Sequence, residues 1–280
     1  MQKLLIVDGS NLLFQMFYGM PARILSPDGR PIQGTLGFVG ALLKMIRMVQ
    51  PTCAVVVFDG ECANPRAELD GDYKANRPDY GQMAEEELPF SQLPDIFRAL
   101  ELLQIRYAET TDCEADDWMA AYARRYGQDM EVVIASQDSD LFQLITDRVR
   151  ILRYRGEKTV LCDPTYIREK LGIEPAQYAD FKSLTGDASD NIRGVDKVGP
   201  KTAAALLQEF GSLEQILLRA EEIGKPSIRA SVQQYAPRAR LNYLLIRLDG
   251  SATVPFLPEE CPCRVGDMTT TQVMTALGLR

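Results

Sequence analysis

Residues 3–8 read KLLIVD, four consecutive apolar side chains that end on a carboxylate. Apolar residues at both odd and even positions suit a strand buried on both faces, as in a parallel sheet covered by helices. The same design recurs in CAVVVF (53–58), followed by Asp59, and in EVVIA (131–135), followed three residues on by Asp138. Between these runs the sequence has helical patterns at Leu36–Val49, Leu93–Leu103 and Ala115–Tyr126. Strands that alternate with helices predict an α/β fold, a mostly parallel open sheet with flanking helices. Ile105–Ala108 adds a candidate strand, and Val149–Tyr154 with Thr159–Leu161 reads as a hairpin around Gly156.

Beyond residue 162 the pattern changes to short helices separated by Gly and Pro: Pro164–Leu171, Pro175–Leu184, Pro200–Phe210, Leu213–Arg219 and Ile228–Leu248. The chain therefore divides into a core, 1–162, and a mostly helical module, 163–280. Residues 61–90 fit neither pattern; they carry Arg66, Tyr73, Lys74, Arg77 and Tyr80 and the run Glu85–Glu87. A stretch this long between core elements is usually functional or mobile.

Composition narrows the chemistry. The 280 residues contain no histidine, which excludes Ser-His-Asp and Cys-His catalysis and imidazole general bases. Six cysteines form no C-x-x-C pair, so zinc patterns are absent and free thiols are expected. No apolar run is long enough for a membrane span or a signal peptide, from which a cytosolic location is expected. The net charge of −8 argues against nucleic acid unless many acids are gathered at one place.

Such a gathering is legible. Strand C-termini of a parallel sheet open on one edge, where ligands bind, and Asp8, Asp59, Asp138 and Asp140 all stand there. Glu114, Asp116 and Asp117 open a helix on the same edge, where acids also complement the helix dipole. Asp187 and Asp190, three apart, would share one face of a helical turn. Oxygen donors in this number suit Mg²⁺ or Mn²⁺ better than softer metals. Leaving these nine acids out of the balance takes the net charge from −8 to +1.

The blocks LLIVDGSNLLF, VVVFDG with Arg66, DYKANRP, CEADD, SQDSDLFQLI and TGDASDNIRGVDKVGPKTAAALL stand in one order over residues 3–250. In this the chain resembles the 5′–3′ exonuclease and flap endonuclease family, in particular the N-terminal nuclease domain of bacterial DNA polymerase I. The resemblance implies a PIN-like core, a helix–three-turn–helix motif near 186–210, and a stand-alone member of the family. It implies two divalent ions, Mg²⁺ with Mn²⁺ as substitute: one held by Asp8, Asp59, Glu114 and Asp116, the other by Asp117, Asp138, Asp140, Asp187 and Asp190. Residues 61–90 fall where relatives carry an arch that threads a single-stranded 5′ end. Tyr73 would stack on a base there, Lys74 and Arg77 would engage phosphates, and Arg66 joins the catalytic set. Gly194, Val195, Lys197, Val198, Gly199, Lys201 and Thr202 would grip duplex DNA, with K⁺ bound by backbone carbonyls of that loop. DNA is the implied partner, with room for a DNA polymerase in trans; the chain is expected to act as a monomer and not at a membrane.

Three positions depart from the family pattern: Gln15 where arginine is usual, Ser139 where lysine is common between the aspartates, and Arg193 where proline is frequent. Gln15 and Ser139 leave open a non-catalytic binder of DNA junctions. A metal-dependent phosphatase or RNase on a similar sheet is the other open alternative.

Overall fold

The computed structural model describes residues 2–60, 65–76 and 88–280. The core runs β1 (Lys3–Asp8), α1 (Gly9–Gly19), α2 (Gln33–Val49), β2 (Cys53–Phe58), α3 (Pro65–Leu69), α4 (Leu93–Leu102), β3 (Arg106–Glu109), α5 (Ala115–Tyr126), β4 (Glu131–Ala135), β5 (Val149–Arg153) and β6 (Val160–Cys162). The helical part follows as α6 (Pro164–Leu171), α7 (Tyr178–Thr185), a two-strand ladder of β7 (Gly186–Asp187) and β8 (Ile192–Arg193), α8 (Pro200–Phe210), α9 (Leu213–Leu218), α10 (Pro226–Ile246) and α11 (Thr270–Ala276).

Six strands form one sheet in the order β3-β2-β1-β4-β5-β6, parallel throughout except for the antiparallel edge strand β6. The all-apolar runs are explained by their period of two. Leu4, Ile6, Val55, Val57, Val132 and Ile134 join one core with α5 and the helical part, while Leu5, Val7, Val56, Phe58 and Val133 join another with α1, α2 and α4. Each such side chain, removed from water, contributes about 1.5–3 kcal/mol. A register slip by one residue would keep both faces apolar but would move Asp8 off the sheet edge, and pairing of Val7 with Ala135 and of Asp8 with Val57 prevents it.

The chain leaves β1 towards β2 and β3 on one side and returns to β4, β5 and β6 on the other. Strand order thus reverses beside β1, and the crevice outside the C-terminal ends of β1 and β4 is the topological switch point of an open sheet.

Elements not read from the sequence include α1, α3, the β7–β8 ladder and α11. Residues 9–19 form α1, capped by Asp8, whose carboxylate accepts from the Asn11 amide at 3.0 Å. The last stretch does not stay with the helical part: Cys53 pairs with Pro262, and Val273, Met274 and Leu279 enter the core of α1, α2 and α4. Cys53, Cys113, Cys162, Cys261 and Cys263 are free thiols. No helix among the described residues is long and apolar enough to cross a membrane.

Candidate active site

Asp8 lies at the bottom of the crevice, 5% exposed. Its second oxygen accepts from the Ser136 hydroxyl at 2.7 Å, and the same hydroxyl accepts from the Asp138 amide at 3.0 Å, so β1 and the loop after β4 are tied through one serine. Burial raises the Asp8 carboxyl to about 7 in spite of the bonds from Asn11 and Ser136, and the charges of Asp59 and Asp138 push the same way. Asp59, exposed at the end of β2, accepts from the Ala115 amide at 3.0 Å and so holds the start of α5 against the sheet edge. This contact brings the CEADD block to the crevice.

Asp116 is held well above the usual carboxylate range by burial, then by the charges of Asp138, Asp8, Asp59 and Glu114. Asp138 is raised by burial, with Asp190 and Asp187 adding repulsion. Asp140 is raised by burial and by Asp138, and its Oδ1 is buried without a hydrogen-bond partner. Burial and mutual repulsion on four carboxyls mark a place short of positive charge.

Protein cations neutralise part of the rest. Burial would raise Glu114, but Lys74 and Arg66 outweigh it and hold the carboxyl below its ordinary value. Lys74 Nζ is 2.5 Å from Glu114 Oε1, and Arg66 is bonded to Oε2. Asp187 behaves alike: Lys182, at 2.5 Å, and Ser189 overcome the effect of its burial. Asp117 binds Arg66 through both oxygens. Among the described residues, no three of these acids form a group that could by itself hold a metal ion. The expected cage of nine is therefore a crevice lined by single and paired carboxylates, because like charges stay apart and three of the acids have internal cations. The donors still fit a hard divalent ion: they are all oxygen, one buried oxygen lacks a partner, and water can complete the shells.

Asp187 and Asp190 do not share a helical turn as expected. Gly186, at φ +81°, stops α7, and the acids sit on the β7–β8 hairpin instead, Asp187 in the ladder and Asp190 in its turn. A Cβ at Gly186 would stand 2.5 Å from the Gly194 nitrogen, and one at Gly194 2.4 Å from the Thr185 carbonyl carbon, so only glycine allows this crossing.

The stretch 65–76 rests on this hairpin. The Lys74 amide donates to the Asp190 carbonyl at 3.0 Å, Asn76 to the Ala188 carbonyl at 2.9 Å, and Asn191 to the Asp72 carbonyl at 2.8 Å. Tyr73 is not presented for stacking. It is 7% exposed, packed with Ala179, Ile192, Leu245 and Ile246, and its hydroxyl is 3.4 Å from Asp190. Arg66 is buried as well, among carboxylates. Arg77, Tyr80 and Glu85–Glu87 lie outside the described residues.

At the other motif, Gly199 precedes α8 without a side-chain cap, so the first amides of the helix lack that partner. Lys197 and Lys201 are exposed around it and Thr202 is half-buried, while Val195 and Val198 are buried and anchor the loop through Val195 N to Leu184 O, 2.8 Å. Gly194 fills the crossing described above. Of the departures, Gln15 donates to the Tyr154 carbonyl at 2.8 Å, Ser139 lies half-buried beside Tyr178, and Arg193 pairs with Asp196 at 2.9 Å. Sequence reasoning missed Ser136 and Lys182, whose roles arise from packing and carry no motif.

The arrangement matches known proteins. Residues 3–172 fit the family model of the 5′–3′ exonuclease N-terminal resolvase-like domain, and 173–269 that of the 5′–3′ exonuclease C-terminal SAM fold. The thermostable DNA polymerase I of Thermus aquaticus is 35% identical over 94% of this chain, which spans 30% of the polymerase's length. A 5′–3′ exonuclease of Aquifex aeolicus is 31% identical over 96% of this chain and 89% of its own. Among solved structures, the bacteriophage T5 flap endonuclease in a pseudo-enzyme-product complex with DNA and metal ions is 26% identical, with a TM-score of 0.71 over 89% of this chain and 90% of that one. With both halves matched in order and a relative matched over nearly its whole length, the chain belongs to the 5′–3′ exonuclease family.

Proposed function

We propose that this chain is a divalent-metal-dependent 5′ nuclease that hydrolyses DNA at 5′ ends and at 5′-flap junctions with duplex, leaving a 5′-phosphate and a 3′-hydroxyl. The observation that carries the reading is the set of mutually repelling carboxylates at the switch point of the sheet, Asp8 buried and Asp116, Asp138 and Asp140 half-buried. The T5 relative with DNA and metal ions supports the same reading.

In this proposal Asp8, Asp59, Glu114 and Asp116 would hold one Mg²⁺ and Asp138, Asp140, Asp187 and Asp190 a second, directly or through water, with Asp117 left out of the expected set because both its oxygens bind Arg66; Mn²⁺ can substitute. When bound, such ions activate water and neutralise charge on a scissile phosphate. The chain's own residues orient the substrate. Lys74 exchanges its ion pair with Glu114 for a phosphate oxygen, and Arg77 binds a neighbouring phosphate. Arg66 and Tyr73, both buried, act as supports for the stretch that carries them. Gly194–Thr202 grips the duplex through uncapped amides of α8 and the charges of Lys197 and Lys201, with K⁺ at the loop's carbonyls. With no histidine, protons leave through water or a carboxylate. The chain works as a monomer on DNA in the cytoplasm, with a polymerase acting in trans.

One gel tests this: end-labelled flap, nicked, blunt and single-stranded DNAs, each with Mg²⁺, Mn²⁺ or EDTA. Cleavage at the flap junction that needs the metal is expected. Binding of flap DNA without cleavage under either metal would favour the non-catalytic junction binder.

A further inference from the structure

Asp116 and Asp117 are neighbours in the first turn of α5, and adjacent helical residues point about 100° apart. Asp116 faces the charges of Asp138, Asp8 and Asp59. Asp117 has other partners. Its Oδ1 accepts from Arg66 Nη2 at 2.7 Å and from the Asp249 amide at 2.8 Å, and its Oδ2 from Arg66 Nη1 at 3.2 Å. Both side chains of the pair are 9% exposed. Arg66 in turn bonds Glu114 Oε2 and reaches the Arg247 carbonyl at 3.4 Å. One guanidinium thus ties α3, the first turn of α5 and the segment after α10.

We infer that Asp117 is a positioning residue, which through Arg66 fixes α3 and the Glu114 carboxylate, and that it does not ligate the divalent ions held by its neighbours. The inference rests on the metal-dependent reading above. A carboxylate that turned towards an ion would give up both bonds to the Arg66 guanidinium, in the protein interior, and the Asp249 amide with them. The fork geometry explains why arginine stands at 66: two donors on two oxygens set direction as well as distance. Lys74, on the other oxygen of Glu114, can then move to a phosphate while Arg66 keeps that carboxylate in place.

The test uses the charge-balanced double variant Arg66→Gln with Asp117→Asn, compared with Asp116→Asn and with wild type. Mg²⁺ is titrated against melting temperature for each, and kcat and KM are measured on flap DNA. Asp116→Asn should raise the Mg²⁺ midpoint by more than about tenfold, whereas the double variant keeps it within about threefold. The double variant should lower kcat by about tenfold or more with KM within about threefold, as expected when orientation and not binding is lost. Arg66→Lys guards against misfolding. It keeps the charge without the fork, and an intermediate kcat at an unchanged Mg²⁺ midpoint is expected. A midpoint in the double variant displaced as far as in Asp116→Asn makes Asp117 a ligand and overturns the inference, as does an unchanged kcat. A wild-type chain indifferent to Mg²⁺ in both assays overturns the metal-dependent reading itself, which separates the two failures.

Discussion

Lys182 Nζ lies 2.5 Å from Asp187 Oδ2, and its charge also reaches Asp140, so an ammonium group from α7 serves the half of the crevice built by the SQDSD and GDASD blocks. With Lys74 on Glu114, each half of the crevice has one lysine counter-ion. These lysines compete with any divalent ion for the same oxygens. Lys182→Met should therefore lower the Mg²⁺ concentration that half-saturates the thermal shift by about tenfold. A unit charge against a divalent ion a few ångströms away is worth on the order of 1–2 kcal/mol even at the dielectric of water. The metal-free variant should melt lower than wild type, because Asp187 then stays buried without its cation. A Mg²⁺ midpoint that stays put or rises would remove Lys182 from the site.

Asp8 ends β1 and Asp140 follows β4, and neither is paired with a protein cation at hydrogen-bonding distance among the described residues. Asp8→Asn and Asp140→Asn keep shape and remove charge. Each should reduce Mg²⁺-dependent flap cleavage by at least about a hundredfold, the scale of losing one electrostatic contribution to phosphate-charge stabilisation. Initial rates on an end-labelled flap check this, and near-wild-type rates for both would remove these residues from the chemistry.

How much of this was readable beforehand follows from what each signal encodes. The strands and their terminal acids were legible because a doubly buried strand must be apolar at every position and a parallel sheet puts its C-terminal edges together. The helix α1 was not, since Gly9-Ser10-Asn11 is a turn-like opening that needs the cap from Asp8 to start a helix. The resemblance groups Asp117 with the metal ligands, and the letters EADD do not say which of two adjacent helical acids bonds Arg66; packing makes it Asp117. Tyr73 looked like a stacking residue for a related reason. An aromatic beside Lys74 reads as nucleic-acid contact, but α10 supplies Leu245 and Ile246 to bury it, and nothing near residue 73 announces them.

The pH dependence of stability should carry an unusual sign. Asp8 titrates near 7 in the folded chain against 3.8 ordinarily, raised by burial first. A raised carboxyl binds its proton more tightly when folded. Its stabilising contribution is complete below its ordinary pKa and is lost as pH climbs through the folded value. In EDTA, the melting advantage of Asp8→Asn over wild type should therefore grow between about pH 4 and about pH 7. Asp116, Asp138 and Asp140 shift in the same direction, so wild type itself should regain stability at neutral pH when Mg²⁺ is added. A difference between variant and wild type that is flat across this window would mean Asp8 is not burdened by its charge.

The crossing of Gly186 and Gly194 holds the hairpin that presents Asp187 and Asp190. Gly194→Ala would press a methyl group against the Thr185 backbone, which cannot retreat without unwinding the end of α7. A destabilisation of about 1–3 kcal/mol is expected from urea unfolding. Cleavage should fall further than stability alone predicts, because the displaced hairpin moves both acids and the Lys74 amide that rests on the Asp190 carbonyl. Wild-type activity in a stably folded Gly194→Ala chain would show that the hairpin tolerates displacement.

Lys197 and Lys201, three and seven residues after Gly194, flank the uncapped start of α8, and both are exposed. Among the described residues, neither side chain makes a hydrogen bond or ion pair with the crevice acids, so their role in the proposed function is to hold duplex phosphates. Each phosphate neutralised by a lysine releases condensed counter-ions, which makes affinity fall with salt. Lys197→Gln and Lys201→Gln should each reduce the slope of log affinity against log salt by about 1. Fluorescence anisotropy on a flap duplex, in an Asp140→Asn background that prevents cleavage, reads the slope directly. The effect should be the same for every DNA sequence, because a lysine on a phosphate carries no base information. An unaltered slope in the double variant would move the duplex grip away from α8, and a changed kcat at saturating DNA would mean these lysines reach the crevice after all.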